Sequence, residues 1–149
     1  MLHTRHSRKR VTMYTGSCLC ASVRFRLHTA ELAPIQICHC TQCRKAQGGP
    51  FASNTPVARS AFELLSGQDL IKSYESSPGK ARCFCSQCGS PLYSWRTAMP
   101  DVLRIRAGLL DEPVHASLAF HAYVGDKCSW WDVDDSLPQY EQGVTAPAA

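Results

Sequence analysis

The segment Cys38-His39-Cys40-Thr41-Gln42-Cys43-Arg44 places three sulfurs within six residues of one another. Three closely spaced thiolates can bind a zinc ion, but a tetrahedral zinc site needs a fourth ligand. That ligand is either a distant residue, or water or a substrate at a position left open, as in catalytic zinc sites. The rest of the chain bears on which of these two arrangements is present.

Cysteine is unusually frequent in this chain, with nine residues among 149. An odd number of cysteines in tight groups fits a disulfide framework poorly and is typical of metal-binding segments in a reducing compartment. Besides the central triplet there is an early pair, a later triplet and one isolated residue. These are Cys18 and Cys20, then Cys83, Cys85 and Cys88, and finally Cys128.

The overall composition indicates one soluble globular domain, with 149 residues, 44% hydrophobic and 19% charged. No apolar run approaches the roughly 20 residues of a membrane-spanning helix, so we expect no membrane association. The net charge of +4 lies in residues 1–12, because the rest of the chain holds 12 basic and 12 acidic residues. A neutral body argues against a nucleic-acid partner, including a zinc-ribbon type of binding.

The basic residues at the start suggest a boundary. Residues 1–12 contain four basic side chains and no acidic one, and we expect a disordered extension there, with Met13 as the functional start. The folded domain is expected over residues 13–143 and a disordered tail over residues 144–149. Because no apolar segment follows the basic residues, they do not resemble a secretory signal, and we expect a cytoplasmic protein.

Short stretches of alternating apolar and polar residues recur along the chain. In residues 23–28 and 102–107, apolar side chains alternate with arginines, a period of two that predicts half-buried strands. Further candidates are residues 35–38, 51–57, 61–65, 70–74, 91–95 and 118–124. We find no convincing helical pattern, so the prediction is an all-β chain of short strands whose loops are anchored by metal.

The spacing of the cysteines leaves their partition open. Combining Cys18-x-Cys20 with Cys85-x-x-Cys88, which Gly89 follows at a tight turn, makes one four-ligand site. The central triplet then forms a separate site with an open position. The alternative combines Cys18 and Cys20 with two members of the central triplet. Spacing favours the first partition only mildly.

Three side chains near the clusters need separate interpretation. Cys83 is either a small buried strand residue, which we favour, or the fourth ligand of the central site. Cys128 lies in a predicted loop and is not expected to be a ligand. His39 lies between two ligands on an extended segment, so its side chain is expected to point away from the metal.

Three ordered motifs in the chain resemble the glutathione-dependent formaldehyde-activating enzyme (GFA) family, also called the CENP-V/GFA domain. They are Gly16-Ser17-Cys18-Leu19-Cys20, Cys38 to Lys45 and Phe84 to Leu92, and the resemblance runs from about Tyr14 to Gly143. It implies an Mss4-like fold of several short coiled antiparallel sheets with two zinc ions per chain. The family's structural zinc ligands match Cys18, Cys20, Cys85 and Cys88, and its catalytic zinc ligands match Cys38, Cys40 and Cys43. Ala21 departs from the pattern, which usually has Gly there, so a strained turn is expected.

The resemblance implies a carbon–sulfur lyase that condenses glutathione or a related thiol with formaldehyde, and also catalyses the reverse reaction. A thiol that occupies the open position of a zinc ion is deprotonated and becomes a nucleophile. Arg44 directly follows the last ligand and is the candidate for binding a glutathione carboxylate, whereas Lys45 is interpreted as solvated. The alternative function is a non-catalytic, zinc-stabilised module that binds glutathione or a protein.

Overall fold

The computed structural model describes residues 13–144, so the predicted extension over residues 1–12 and residues 145–149 of the predicted tail lie outside the described residues. The described chain contains ten strands, one α-helix and four short 3-10 turns. The strands are β1 Tyr14–Ser17, β2 Arg24–Leu27, β3 Ile35–Cys38, β4 Ala52–Ala58, β5 Phe62–Ser66, β6 Ile71–Ser77, β7 Lys80–Cys85, β8 Pro91–Arg96, β9 Met99–Arg106 and β10 Leu118–Ala122, and helix α1 is Thr41–Gln47. In this part of the chain no helix has the length and apolar character needed to cross a membrane.

The strands described between residues 13 and 144 form two sheets. Strands β1, β2 and β5 make a three-stranded antiparallel sheet, and the other seven follow the order β10-β3-β4-β9-β8-β7-β6. Neighbours in the larger sheet are antiparallel except for the parallel pair β10 and β3. The predicted all-β class is confirmed. Alternation predicted β2 and β9 because successive side chains point to opposite faces of a sheet.

Strand β9 shows how the two faces of the larger sheet differ. Leu103 and Ile105 are buried in a cluster that also contains Phe25 and Leu27 of the smaller sheet. Burying such side chains contributes roughly 25 cal/mol for each Å² of apolar surface removed from water. The arginines that alternate with them, at 104 and 106, project from the other face, where a cavity lies.

The prediction that the chain holds no helix is wrong for Thr41–Gln47. Cys40 caps the amino end of α1, because its Sγ accepts a hydrogen bond from the Cys43 backbone N–H at 3.2 Å. Gly48 ends the helix with φ of 67°, and its N–H donates to the Arg44 carbonyl. A helix of seven residues is too short for an apolar periodicity to stand out.

Candidate metal centres and a basic cavity

Four cysteine sulfurs meet where the turns after β1 and β7 approach each other. The Sγ atoms of Cys18, Cys20, Cys85 and Cys88 all lie within 4.8 Å of one another. The Sγ–Sγ distances are 3.5 Å from Cys18 to Cys20 and 3.9 Å from Cys20 to Cys85. Four sulfurs around zinc, at the usual bond length of about 2.3 Å, are about 3.8 Å apart. The spacing and donor type therefore fit a closed, four-ligand metal site.

Hydrogen bonding and burial act in opposite directions on the thiols of the four-cysteine cluster. The Val23 backbone N–H donates to Cys18 Sγ at 3.3 Å, and the Ser90 hydroxyl lies 3.2 Å from Cys88 Sγ. Hydrogen bonding with Ser90 lowers the pKa of Cys88 to about 5, whereas burial raises the pKa of Cys18 to about 11. Neighbouring thiolates repel one another, so complete deprotonation of the cluster needs a cation among the sulfurs.

The central triplet forms a second cluster with three sulfurs. Cys38 ends β3, Cys40 caps α1, and Cys43 is buried in the helix, with their Sγ atoms within 4.8 Å of one another. No further cysteine, histidine or acidic side chain of residues 13–144 joins this cluster. The sulfur donors fit a metal ion, and the cluster contains three of the four ligands of a tetrahedral site.

Strand β7 explains why Cys83 does not complete the triplet. Its neighbour Arg82 faces the cluster, with Nη1 and Nη2 at 3.8 and 3.7 Å from Cys43 Sγ. Successive strand residues point to opposite faces, and Cys83 is buried in register with Tyr93 of β8. This placement agrees with the interpretation of Cys83 as a buried strand residue. Cys128 is also buried and belongs to neither cluster.

The three sulfurs of the central cluster hold their protons unequally. Hydrogen bonds from Cys38 and then Cys40 lower the pKa of Cys43, and the positive charge of Arg82 acts in the same direction. The same sulfur contacts raise the pKa of Cys38. The two neighbouring thiols and the Arg82 guanidinium therefore surround the Cys43 sulfur with groups that stabilise its negative charge.

His39 points away from the sulfurs, as expected from its position between two of them. The side chain is fully buried, and its Nε2 lies 2.8 Å from His121 Nδ1. His121 Nε2 in turn lies 2.8 Å from a carboxylate oxygen of Asp135. The His39 ring also packs against Phe51 and Trp131. Burial lowers the pKa of His39, and this hydrogen-bonded chain fixes the segment that carries Cys38 and Cys40.

A cavity of about 840 Å³ lies beside the three-cysteine cluster, and all three of its cysteines contribute to the lining. The floor is the face of the larger sheet opposite the hydrophobic core. Registered neighbours on β7, β8 and β9 place Arg82, Ser94 and Arg104 in one row. In the described part of the chain, five basic residues line the cavity, namely Lys80, Arg82, Arg96, Arg104 and Arg106.

The deepest of these basic side chains is Arg106, which is 5% exposed. It donates to Asn54 Oδ1 and, at 3.3 Å, to the Arg104 carbonyl, but its buried Nε has no hydrogen-bond partner among residues 13–144. Burial lowers the pKa of Arg106 to about 10. Burial also lowers the pKa values of Arg104 and Lys80, and neighbouring positive charges add to that effect.

Arg44 lies in helix α1 and not in an extended loop, which changes the direction of its side chain. The helix turns its side chain about 100° from that of Cys43, and its Nε donates to the Asp126 carbonyl at 3.0 Å. Arg44 is absent from the residues that line the cavity. The arginines that do line it are marked in the sequence only by the alternation in β9, which predicts a strand and not a cavity.

The family model described as glutathione-dependent formaldehyde-activating enzyme matches residues 13–126 of the chain. The chain belongs to this GFA family. A putative glutathione-dependent formaldehyde-activating enzyme of Halomonas elongata is 29% identical to the GFA chain over 127 residues, which are 80% of each protein. An uncharacterized lyase of Schizosaccharomyces pombe is 30% identical over 119 residues, which are 80% of this chain and 84% of the relative.

A solved structure supports the fold of the GFA chain. The crystal structure of a Rhodobacter sphaeroides protein superposes with a TM-score of 0.56 and 22% sequence identity. The superposition covers 68% of this chain and 91% of that protein. This similarity shows a shared fold.

Proposed function

We propose that the protein is a zinc-dependent carbon–sulfur lyase that condenses glutathione, or a related thiol, with formaldehyde to S-hydroxymethylglutathione and catalyses the reverse reaction. Membership of the GFA family and the lyase relative support this reaction class. The observation that carries the proposal for this chain is the cluster of three sulfurs, rather than four, in the wall of a cavity.

In this proposal the two clusters have different tasks. Cys38, Cys40 and Cys43 would hold the catalytic zinc ion, and the four-cysteine cluster would hold a structural one. A zinc ion bound by these three thiolates would leave a position for a substrate thiol and would lower the pKa of that thiol. Arg82 donates toward Cys43, and such contacts orient a ligand and moderate its negative charge.

The reaction makes one carbon–sulfur bond. The glutathione sulfur bonds to the formaldehyde carbon, and the thiol proton ends on the former carbonyl oxygen, so no atom is lost. The reverse reaction breaks the same bond and returns the proton to sulfur. Thiols add to formaldehyde unaided, so the contribution of the protein is to ionise the thiol and hold both reactants in one orientation. The cavity volume is within the usual range for small-molecule sites, roughly 300–1,000 Å³.

Replacement of Cys43 by serine tests the proposal. With Cys43→Ser we expect zinc content to fall from two ions per chain to one, and the rate of adduct formation to fall to the spontaneous value. Zinc is measured by elemental analysis, and the exchange between formaldehyde and its glutathione adduct by NMR. Cys128→Ser is the matched control, because Cys128 is a buried cysteine outside both clusters.

Two results would contradict the proposal. A Cys43→Ser protein as fast as the wild type would show that the three-cysteine cluster does not take part in the reaction. A wild-type protein with two zinc ions that leaves the spontaneous rate unchanged would instead indicate the non-catalytic binding module.

A further inference from the structure

The chain of two histidines and a carboxylate beside the three-cysteine cluster has no task in the proposed reaction. His39 and His121 are both fully buried, so water does not replace the hydrogen bonds that they make with each other and with Asp135. Asp135 ends the chain near the surface, with its side chain 37% exposed. A buried polar network is costly unless its members are satisfied, which indicates that this one serves more than packing.

The carboxylate of Asp135 determines where the protons of the chain lie. Its Oδ1 accepts a hydrogen bond from the Leu137 backbone N–H at 3.0 Å, which holds the carboxylate in place. Hydrogen bonding to His121 lowers the pKa of Asp135, so the carboxylate is ionised and only accepts hydrogen bonds. His121 Nε2 therefore carries a proton. Burial opposes a charged ring, and in a neutral His121 the Nδ1 atom then accepts from His39 Nε2.

His39 lies in the short link between β3 and α1. The pairing of β3 with both of its neighbours ends at Cys38, and Cys40 already caps the helix. The His39 backbone N–H donates to the Ala122 carbonyl at 2.9 Å, and the His39 ring is held by His121. Neighbouring residues of an extended segment point to opposite sides, so a ring fixed on one side fixes the two sulfurs on the other.

We propose that Asp135 is a positioning residue, which acts through His121 and His39 to hold Cys38 and Cys40 in the arrangement that retains a zinc ion. The inference rests on the proposed function, because it adds a remote residue to the site of the lyase. Asp135 lies beyond residues 13–126, which the family model matches. Removal of a hydrogen-bond partner just outside the ligands of a metal site typically costs about 10–100-fold in metal affinity or activity.

Zinc retention tests the inference without any reaction. We expect Asp135→Ala to release zinc from the three-cysteine cluster about tenfold faster than the wild type, with no change at the four-cysteine cluster. Release to a chromogenic chelator is followed in the zinc-loaded protein, and the phase of the three-cysteine cluster is identified by its absence in Cys43→Ser. An unchanged rate in Asp135→Ala, or equal acceleration at both clusters, would overturn the inference.

The neighbouring acid provides the matched control. Asp134 is also exposed, and Asp134→Ala changes the net charge by the same amount as Asp135→Ala. We expect Asp134→Ala to release zinc at the wild-type rate. If it accelerates release as much as Asp135→Ala does, the effect is one of overall charge and the inference is wrong.

The ring protons give a readout that a loss of stability alone would not move. In nitrogen-15 NMR of the zinc-loaded wild type, we expect His39 and His121 to be neutral rings with the proton on Nε2. Asp135→Asn keeps the size of the side chain, but its amide both donates and accepts, so the two rings should become mixtures of tautomers. A wild-type His121 without a proton on Nε2, or ring signals unchanged in Asp135→Asn, would show that Asp135 does not control the chain. The wild-type spectrum decides even where Asp135→Ala fails to fold.

Two substitutions of His39 separate its hydrogen bond from its packing. The side-chain amide of His39→Gln retains an N–H donor, whereas His39→Leu fills space without one. We expect His39→Leu to release zinc about tenfold faster than the wild type and His39→Gln to stay closer to the wild-type rate. Equally fast release from both variants would mean that packing of the ring alone holds the segment, which contradicts the inference.

The adduct assay separates this inference from the proposed function. If Asp135→Ala loses zinc faster but the wild type does not accelerate adduct formation, the positioning role stands and the proposed function is wrong. If the wild type accelerates adduct formation and Asp135→Ala matches it in both rate and zinc retention, the lyase stands and the positioning role is wrong.

Discussion

Ala21 and Gly89 occupy similar positions in the two halves of the four-cysteine cluster. Each directly follows a cysteine pair, and each has a left-handed backbone, with φ of 62° at Ala21 and 78° at Gly89. Glycine adopts this conformation without strain, whereas a residue with a Cβ loses about 1–2 kcal/mol. The positive φ of Ala21 confirms the strained turn that was expected from its departure from the family pattern.

Replacement of Ala21 by glycine should therefore stabilise the protein. We expect Ala21→Gly to raise the free energy of unfolding by about 1 kcal/mol, because relief of strain exceeds the greater chain entropy of unfolded glycine. Urea denaturation of the zinc-loaded protein measures the change. Ala46→Gly, in the exposed part of α1, should have the opposite sign, with a loss of about 1 kcal/mol. A loss of stability in both variants would contradict the account of Ala21.

The end of helix α1 depends on Gly48, the residue that caps its carboxyl terminus. Gly48 has φ of 67°, Gly49 has no such constraint, and a Cβ at either would meet no atom within 4 Å. Gly48→Ala and Gly49→Ala therefore differ only in backbone strain. We expect Gly48→Ala to lose about 1 kcal/mol and to release zinc faster from the three-cysteine cluster, with no change at the four-cysteine cluster.

The comparison with Gly49→Ala decides whether strain at the helix end is the cause. Release of each zinc ion to a chromogenic chelator resolves a fast and a slow phase. Only the fast phase, from the three-cysteine cluster, should change with Gly48→Ala. Neither phase should change with Gly49→Ala. Equal effects of the two variants would show that α1 does not need a left-handed residue at its end.

The same elements show how far the sequence predicts the fold. Strands β2 and β9 were predicted because one face of each is buried and the other is polar, so their residues alternate. Helix α1 was missed because its cap is Cys40, which is not among the common N-cap residues. Its Gly48 and the basic residues of its last turn are helix-stop signals, but no apolar stripe accompanied them.

The candidate site was predictable only where its residues are close in the chain. The cysteine groups were found from spacing, and the structure brings Cys18 and Cys20 to the later pair rather than to the central triplet. The partner of His39 is 82 residues away, which no local pattern reveals. The arginines of β7 and β9 have the sequence pattern of a solvated strand face, and only the order of strands in the larger sheet shows that they line one cavity.

At the scale of the molecule, the four-cysteine cluster joins the two sheets. Cys18 and Cys20 follow β1 of the smaller sheet, while Cys85 ends β7 of the larger one. Cys18 and Cys85 also belong to a hydrophobic cluster with Val23 and Leu92. A metal ion here closes a long loop of chain and replaces part of the core that a domain of short strands lacks.

Loss of a ligand should consequently have different effects at the two clusters. We expect Cys85→Ser to remove a large part of the stability, which is about 5–15 kcal/mol for a typical domain, because Cys85 is fully buried between the sheets. Cys43→Ser should abolish binding of one zinc ion but shift the melting temperature little, since its cluster lies at a cavity wall.

Cys83→Ser is the control on the same strand, because Cys83 is buried but outside both clusters. Calorimetry that finds equal losses for Cys85→Ser and Cys83→Ser would mean that burial of a hydroxyl, and not metal binding, explains the effect. Equal losses of stability for Cys85→Ser and Cys43→Ser would contradict the division into a structural and an open site. The two sites would then stabilise the fold equally.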